Sequence, residues 1–117
     1  MKLRTIILED NLVARLTLEQ FCSNYPYVNF QGAFDTVKEA SKYLQNNQVD
    51  LIFLDIELKD GISWKLLNEI DEKIHVIVTS SFDQYEEEAK KYANVKCFLK
   101  KPISLESFLK SLKLVDS

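Results

Sequence analysis

Apolar residues along the chain fall into short runs separated by stretches of a different period. Residues 3–8, 51–54 and 76–78 are nearly continuous apolar runs, and 95–99 is another, interrupted only by Lys96. Strands buried on both faces of a parallel sheet have this composition. Residues 27–34 are more polar and alternate Val28 and Phe30 with Asn29 and Gln31, which predicts an edge strand. Between the runs the apolar spacing becomes helical. Leu12, Leu16 and Phe21 predict a first helix that Pro26 ends, and Val37, Ala40 and Leu44 a second, opened by a Thr36/Glu39 capping box. Ile62, Leu66, Leu67 and Ile70 predict a third, and Phe82, Tyr85, Ala89 and Tyr92 a fourth. Leu105, Phe108, Leu109 and Leu112, behind Pro102 and a Ser104 cap, predict a fifth.

Strand then helix, five times over, implies right-handed crossovers and a parallel sheet covered on both faces. A chain of 117 residues, 46% hydrophobic, with two Gly and two Pro, holds one core and no linker. The expectation is a single α/β domain over residues 1–117. Ligands of such folds bind beyond the carboxyl ends of the strands, so the residues that follow each run carry the functional argument.

Those residues are Glu9-Asp10 after the first run, Asp55 after the third strand, Ser80-Ser81 after the fourth and Lys100-Lys101-Pro102 after the fifth. Three carboxylates brought to one edge repel one another and resist ionisation unless a cation neutralises them. A hard, oxygen-ligated divalent ion, Mg²⁺ or Mn²⁺, is the natural partner. A carboxylate ionised at neutral pH attacks phosphorus without a general base. The ion, a lysine ammonium and a hydroxyl then stabilise the transferred phosphoryl oxygens.

This succession of Glu-Asp, Asp, Ser and Lys-Pro at strand ends, over the whole chain, resembles the receiver domain of two-component response regulators. The stretch Leu54-Asp55-Ile56-Glu57-Leu58 with Asp60-Gly61, and Thr79-Ser80-Ser81-Phe82-Asp83-Gln84-Tyr85, are similar to receivers that carry a LytTR-type DNA-binding domain. The resemblance implies a flavodoxin-like, doubly wound (βα)5 fold with a five-stranded parallel sheet in the order 2-1-3-4-5. It implies Asp55 as the phosphoacceptor, Glu9 and Asp10 as the acidic pair, and the main-chain carbonyl of Glu57 as the remaining protein ligand to the metal. Lys101 takes the lysine role and Ser80 that of the hydroxyl that senses the phosphoryl group. Phe98 matches the aromatic switch position, and the Lys101-Pro102 bond is a candidate for the cis isomer. A sensor histidine kinase is the implied donor, and self-catalysed phosphoryl transfer and dephosphorylation the only chemistry. The fourth helix, fifth strand and fifth helix, carrying Tyr85, Tyr92 and Phe98, form the implied switching and homodimer face. The implied setting is cytoplasmic, with transcription controlled through a DNA-binding domain absent from this chain.

Two departures stand out. Where many receivers have Met-Pro and a later glycine after the phosphoacceptor, this chain has Leu58-Lys59 and an early Asp60-Gly61 turn, and Ser81 replaces the usual alanine.

Charge and cysteine usage narrow the classes further. Eighteen acidic against fifteen basic residues, a net charge of −3, deny this segment the positive field that non-specific DNA binding needs. The first apolar run, broken by Glu9-Asp10, is too short for a signal sequence or a membrane span. Cys22 and Cys97 are far apart, with no metal spacing, and read as reduced packing residues. His75, the only histidine, reads as a strand-end residue, and Trp64 as a partly exposed helix residue. Taken singly, Asp10 or Asn11 is a helix cap, Asp55 a turn residue, Lys101 surface and Phe98 packing. Their joint placement is the argument for a site. Two rivals stay open. One is a phosphohydrolase with a strand-end Asp nucleophile, whose Asp-x-Asp the Asp55-x-Glu57 pair faintly resembles, although that class places its nucleophile after the first strand. The other is a receiver-like module that binds partners without accepting phosphate. With Ser117 just past the fifth helix, the chain is either a stand-alone domain or the first part of a longer protein.

Overall fold

The computed structural model describes residues 2–58 and 60–116, so Lys59 of the departure noted above lies outside it. Leu3–Leu8 form β1, Leu12–Ser23 α1, Val28–Phe34 β2, Val37–Asn46 α2 and Leu51–Asp55 β3. A short antiparallel ribbon follows, β4 at Glu57–Leu58 and β5 at Gly61–Ile62, and leads into α3 at Trp64–Glu69. His75–Ser80 form β6, Glu86–Ala89 α4, Val95–Lys100 β7 and Leu105–Asp116 α5. The five long strands make one parallel sheet in the order β2-β1-β3-β6-β7, the expected 2-1-3-4-5 arrangement with the ribbon set aside.

Strand alternation divides the core into two halves. Ile6, Leu8, Ile52, Leu54, Val76 and Val78 pack towards α2, α3 and α4, while Ile7, Leu51, Phe53, Ile77 and Leu99 pack towards α1 and α5. Phe108 of α5 stacks on Phe53 at a 5.5 Å centroid distance. Every residue of β3 is buried, as its unbroken apolar run requires, whereas edge strand β2 buries only Val28. Cys22 is fully buried, Cys97 partly so, and both are free thiols; burial pushes the Cys22 thiol up to about 12.

Three expectations need correction. In α1 the sheet-facing row is Ala14, Leu18 and Cys22, and Leu12 and Leu16 are 56% and 53% exposed. That helix carries apolar residues on two sides, so spacing alone does not choose between them. The fourth helix is only a 3-10 turn at Asp83–Tyr85 and the single turn of α4. Phe82 is held extended beside Ser80, and the Asn94 carbonyl must return to accept from the Val76 N–H at 2.8 Å, which leaves room for little more. Tyr85 and Tyr92 turn inward against Trp64, which stacks on Tyr92 at 5.6 Å. Ile62, expected on the third helix, precedes it in β5, and its side chain is outside the described set.

Candidate functional site

Strand parity brings the charged residues together. Glu9 and Asp55 continue the rows of Ile7 and of Leu51 and Phe53, so both point to the α1/α5 side at the carboxyl edge of the sheet. Lys101 joins them because of a bulge. Val76 pairs with Val95 but Ile77 with Cys97, so Lys96 is an extra, exposed residue that shifts β7 by one. Cys97 and Leu99 therefore face α1/α5, and Lys101 extends their row. Lys100 falls on the opposite row, is exposed, and pairs with Asp83 at 3.0 Å. Ser80 follows Val76 and Val78 and reaches the edge from the other side.

The Lys101 ammonium lies 2.5 Å from Glu9 Oε1 and 3.3 Å from Asp55 Oδ2. Glu9 is fully buried, and its Oε2 accepts from the Asn11 N–H at 3.1 Å. Asn11, in turn, caps α1 by accepting from the Ala14 N–H at 3.0 Å, which settles the cap between Asp10 and Asn11. The Lys101 N–H donates to the Ser80 carbonyl at 2.8 Å, and the Lys101–Pro102 bond is cis, as expected. One carboxylate oxygen each from Glu9, Asp10 and Asp55 lies within 4.8 Å of the others. Neighbouring oxygens around an octahedral ion with bonds of about 2.1 Å sit about 3.0 Å apart, so the three carboxylates would draw closer together to share one.

Burial, and then the charge of Glu9, push the Asp55 carboxyl up to about 7, and Lys101 only partly offsets them. In the ion-free site the environment therefore works against the ionised form of Asp55 that the sequence reading expects of the nucleophile. The donor set, all hard oxygen with surplus negative charge, fits a cation such as Mg²⁺. A cleft of about 470 Å³ opens over Glu9, Asp10, Asp55, Ser80 and Lys101, with Glu57 on its rim.

Ser80 is buried, but its hydroxyl is occupied within its own turn, accepting from the Phe82 N–H at 3.0 Å and donating to the Phe82 carbonyl at 3.3 Å. Phe98 is partly buried in the cluster that holds Tyr85 and Tyr92, away from the carboxylates. The Glu57 side chain is exposed, and its N–H donates to Asp55 Oδ1 at 3.3 Å. His75 opens β6, remote from the cleft. Sequence reasoning passed over Ser63. This fully buried residue donates its hydroxyl to the carbonyls of Asp55 at 2.7 Å and Ile56 at 3.1 Å. A serine just before a helix reads as a cap, and only its place beyond the Asp60-Gly61 turn hints at a role in the loop.

Known proteins share this fold. The response regulator receiver domain profile matches residues 5–113. The sensory transduction protein LytT of Bacillus anthracis is 25% identical over 95% of this chain and 46% of its own length. LytT of Enterococcus faecalis is 29% identical over 89% of the chain and 44% of its length. The chain thus spans about half the length of these curated relatives. The response regulatory domain of protein MrkE from Klebsiella pneumoniae superposes with a TM-score of 0.86 at 23% identity, covering 97% of this chain and 94% of that one. A CheY-like receiver from Methanospirillum hungatei gives 0.80 at 21%, covering 99% and 95%. Among the described residues no helix is long and apolar enough to cross a membrane. Sheet order, the carboxyl-edge cluster and the match over residues 5–113 lead to one conclusion: the chain belongs to the receiver domain family of two-component response regulators, with LytT- and LytR-type proteins among its relatives.

Proposed function

We propose that Asp55 accepts a phosphoryl group from the phosphohistidine of a sensor kinase, and that the domain over residues 1–117 passes the change to an output. The observation that carries the reading is the Lys101 ammonium set between Glu9 and Asp55, beside Asp10, on the floor of an open cleft. An Asp55 carboxylate oxygen attacks phosphorus, the P–N bond to the donor imidazole breaks, and the imidazole leaves and takes a proton. Later attack by water on the acyl phosphate releases inorganic phosphate and restores the carboxylate. Glu9, Asp10, Asp55 and the Glu57 main-chain carbonyl are the groups that would hold Mg²⁺ or Mn²⁺. When bound, the ion supplies positive charge for the phosphoryl oxygens and favours the ionised form of Asp55. Lys101 supplies a second positive charge from the far side.

Ser80 then leaves Phe82 to bond a phosphoryl oxygen, and Phe98 and the α4–β7–α5 face follow, forming a homodimer contact. Given the LytT and LytR relatives, the output is transcription through a DNA-binding segment beyond this chain, in the cytoplasm. Incubation with acetyl phosphate and Mg²⁺ is expected to add one phosphoryl group, seen by intact-mass measurement and absent from Asp55→Asn. Equal labelling of that variant removes Asp55 from the role, and uptake by neither protein favours a module that only binds partners.

A further inference from the structure

Between Asp55 and α3 the chain makes a narrow excursion, out along β4 and back along β5, with Glu57 opposite Ile62 and Leu58 opposite Gly61. A two-stranded ribbon this short has no stability of its own, so something else must hold it. Leu58 of β4 packs into the core beside Ile56, and two polar side chains tie the ribbon, one at each end. At the base, the buried Ser63 hydroxyl bonds the Asp55 and Ile56 carbonyls, and the Ser63 N–H donates to Ile56 at 3.0 Å. Ser63 occupies the position before α3 yet gives that helix no side-chain cap. Its hydroxyl serves the ribbon instead.

At the tip, the Asp60 carboxylate crosses to α2 and accepts from the N–H groups of Val37 at 3.1 Å and Lys38 at 3.2 Å. Thr36 accepts only from Glu39, so Asp60 completes a cap that Thr36 begins, at the end of the helix where negative charge is favoured. Gly61, with φ of +125°, lets the chain turn back directly after Asp60. A Cβ there would meet no atom within 4 Å, so glycine is required by the backbone conformation and not by space.

We propose that Ser63 and Asp60 are positioning residues for the cation: together they fix the ribbon so that the Glu57 carbonyl stands ready beside the Asp55 carboxylate. The inference rests on the reading of Asp55, Asp10 and Glu57 as the cation site. It adds that the site is prepared by two side chains that never touch the ion. Groups of this kind orient ligands, and their loss commonly weakens metal binding about tenfold or more.

The test is Mg²⁺ affinity, measured by calorimetry and by the fluorescence of Trp64, the only tryptophan and the neighbour of Ser63. Ser63→Ala, Ser63→Thr and Asp60→Ala are compared with wild type and with Asp10→Ala, well below every melting temperature. Ser63→Ala and Asp60→Ala are each expected to weaken Mg²⁺ binding by about tenfold, with Ser63→Thr, which keeps the hydroxyl, recovering part of the loss. A purely structural role would lower the melting temperature in EDTA and leave the affinity unchanged, and that result overturns the proposal. Asp60 is exposed, so its variant reports even if Ser63→Ala fails to fold. If wild type binds no Mg²⁺, or Asp10→Ala binds it equally well, the cation site itself is wrong. If Asp10→Ala alone loses binding, the site stands and the clamp falls.

Discussion

Asp55 and Ser80 end neighbouring strands of the sheet, and they are held in opposite ways. Asp55 closes a strand with no exposed residue, its carbonyl is bonded by Ser63, and its carboxylate meets Lys101 and the Glu57 N–H. Those contacts come from three residues, of which Lys101 lies on a different strand of the sheet. Ser80 is also buried, but its hydroxyl bonds only Phe82, two residues on. Beyond it lie a 3-10 turn and one turn of α4, held to the core by Ala89, Tyr85 and Tyr92 and carrying exposed pairs of Glu86 with Lys90 and Glu88 with Lys91 on its outer side. Exposed pairs of this kind contribute at most about 1 kcal/mol each. Phe82 itself is half exposed. The fold ties Asp55 to residues distant along the chain and leaves the Ser80 hydroxyl bonded within its own turn.

Removing Lys101 should break the ordered half most severely. Lys101→Ala strips the ammonium from a fully buried Glu9 and a nearly buried Asp55, and breaking such a pair costs about 3 kcal/mol or more. At pH 8 in EDTA calorimetry should show a melting temperature lower by on the order of 10 °C. A fall under about 2 °C would show that the edge tolerates its charge without the lysine.

Saturating Mg²⁺ sharpens the same contrast from the other direction. At about 100 times its dissociation constant the ion should stabilise wild type by roughly 2.7 kcal/mol, and Asp10→Ala should lose most of that gain. In EDTA that variant should be no less stable than wild type, because one repelling carboxylate has gone. Thermal melts across a Mg²⁺ titration decide it, and an Asp10→Ala response equal to wild type would contradict the site.

Asp55 also imposes a pH dependence. Its folded value of about 7 lies above the ordinary 3.8, so the folded state binds the proton more tightly. Stability in EDTA should therefore fall as pH rises through the interval from about 4 to 7, with no penalty below it and the full penalty above. Asp55→Asn removes this titration and should be more stable than wild type at pH 8, the advantage shrinking towards pH 5. Denaturant unfolding at both pH values measures it, and a pH-independent difference would assign the effect to something other than ionisation.

The Ser80 turn should yield the smallest stability change. Ser80→Ala removes two bonds within one turn and is expected to cost about 1 kcal/mol. It should nevertheless abolish the beryllofluoride-induced amide shifts in residues 80–100 while keeping those around Asp55. Shifts that persist in that segment would mean the signal bypasses Ser80.

β1, β3 and β6 were legible because their runs are buried almost throughout, whereas β7, read as a strand of the same kind, is an edge strand that buries only Leu99. The α2 start was legible from Thr36, whose Oγ1 accepts from the Glu39 N–H at 3.2 Å. The α1 face was not, since Leu12, Val13 and Leu16 are apolar and yet exposed. At the site, Glu9, Asp55 and Lys101 were visible as residues that follow apolar runs. Lys101 was preferred to Lys100 only for preceding Pro102, whereas the physical reason is the Lys96 bulge, which no local pattern announces. Ser63 and Asp60 escaped for a related reason. Their partners are the Asp55 carbonyl eight residues back and α2 amides more than twenty residues back, and a one-dimensional pattern carries neither distance.

The strand order has a consequence for how the chain is built on the ribosome. β2 joins one side of β1 and β3 the other, β6 adds to β3, and β7 adds last to β6, so each new strand meets an edge already made. Glu9 and Asp55 come together as soon as β3 docks, but Lys101 follows β7 and emerges seconds later at the usual pace of about 5–20 residues per second. A sheet lacking β7 would carry two inward carboxylates with no ammonium between them. Docking the final strand and discharging the acidic edge are thus a single event.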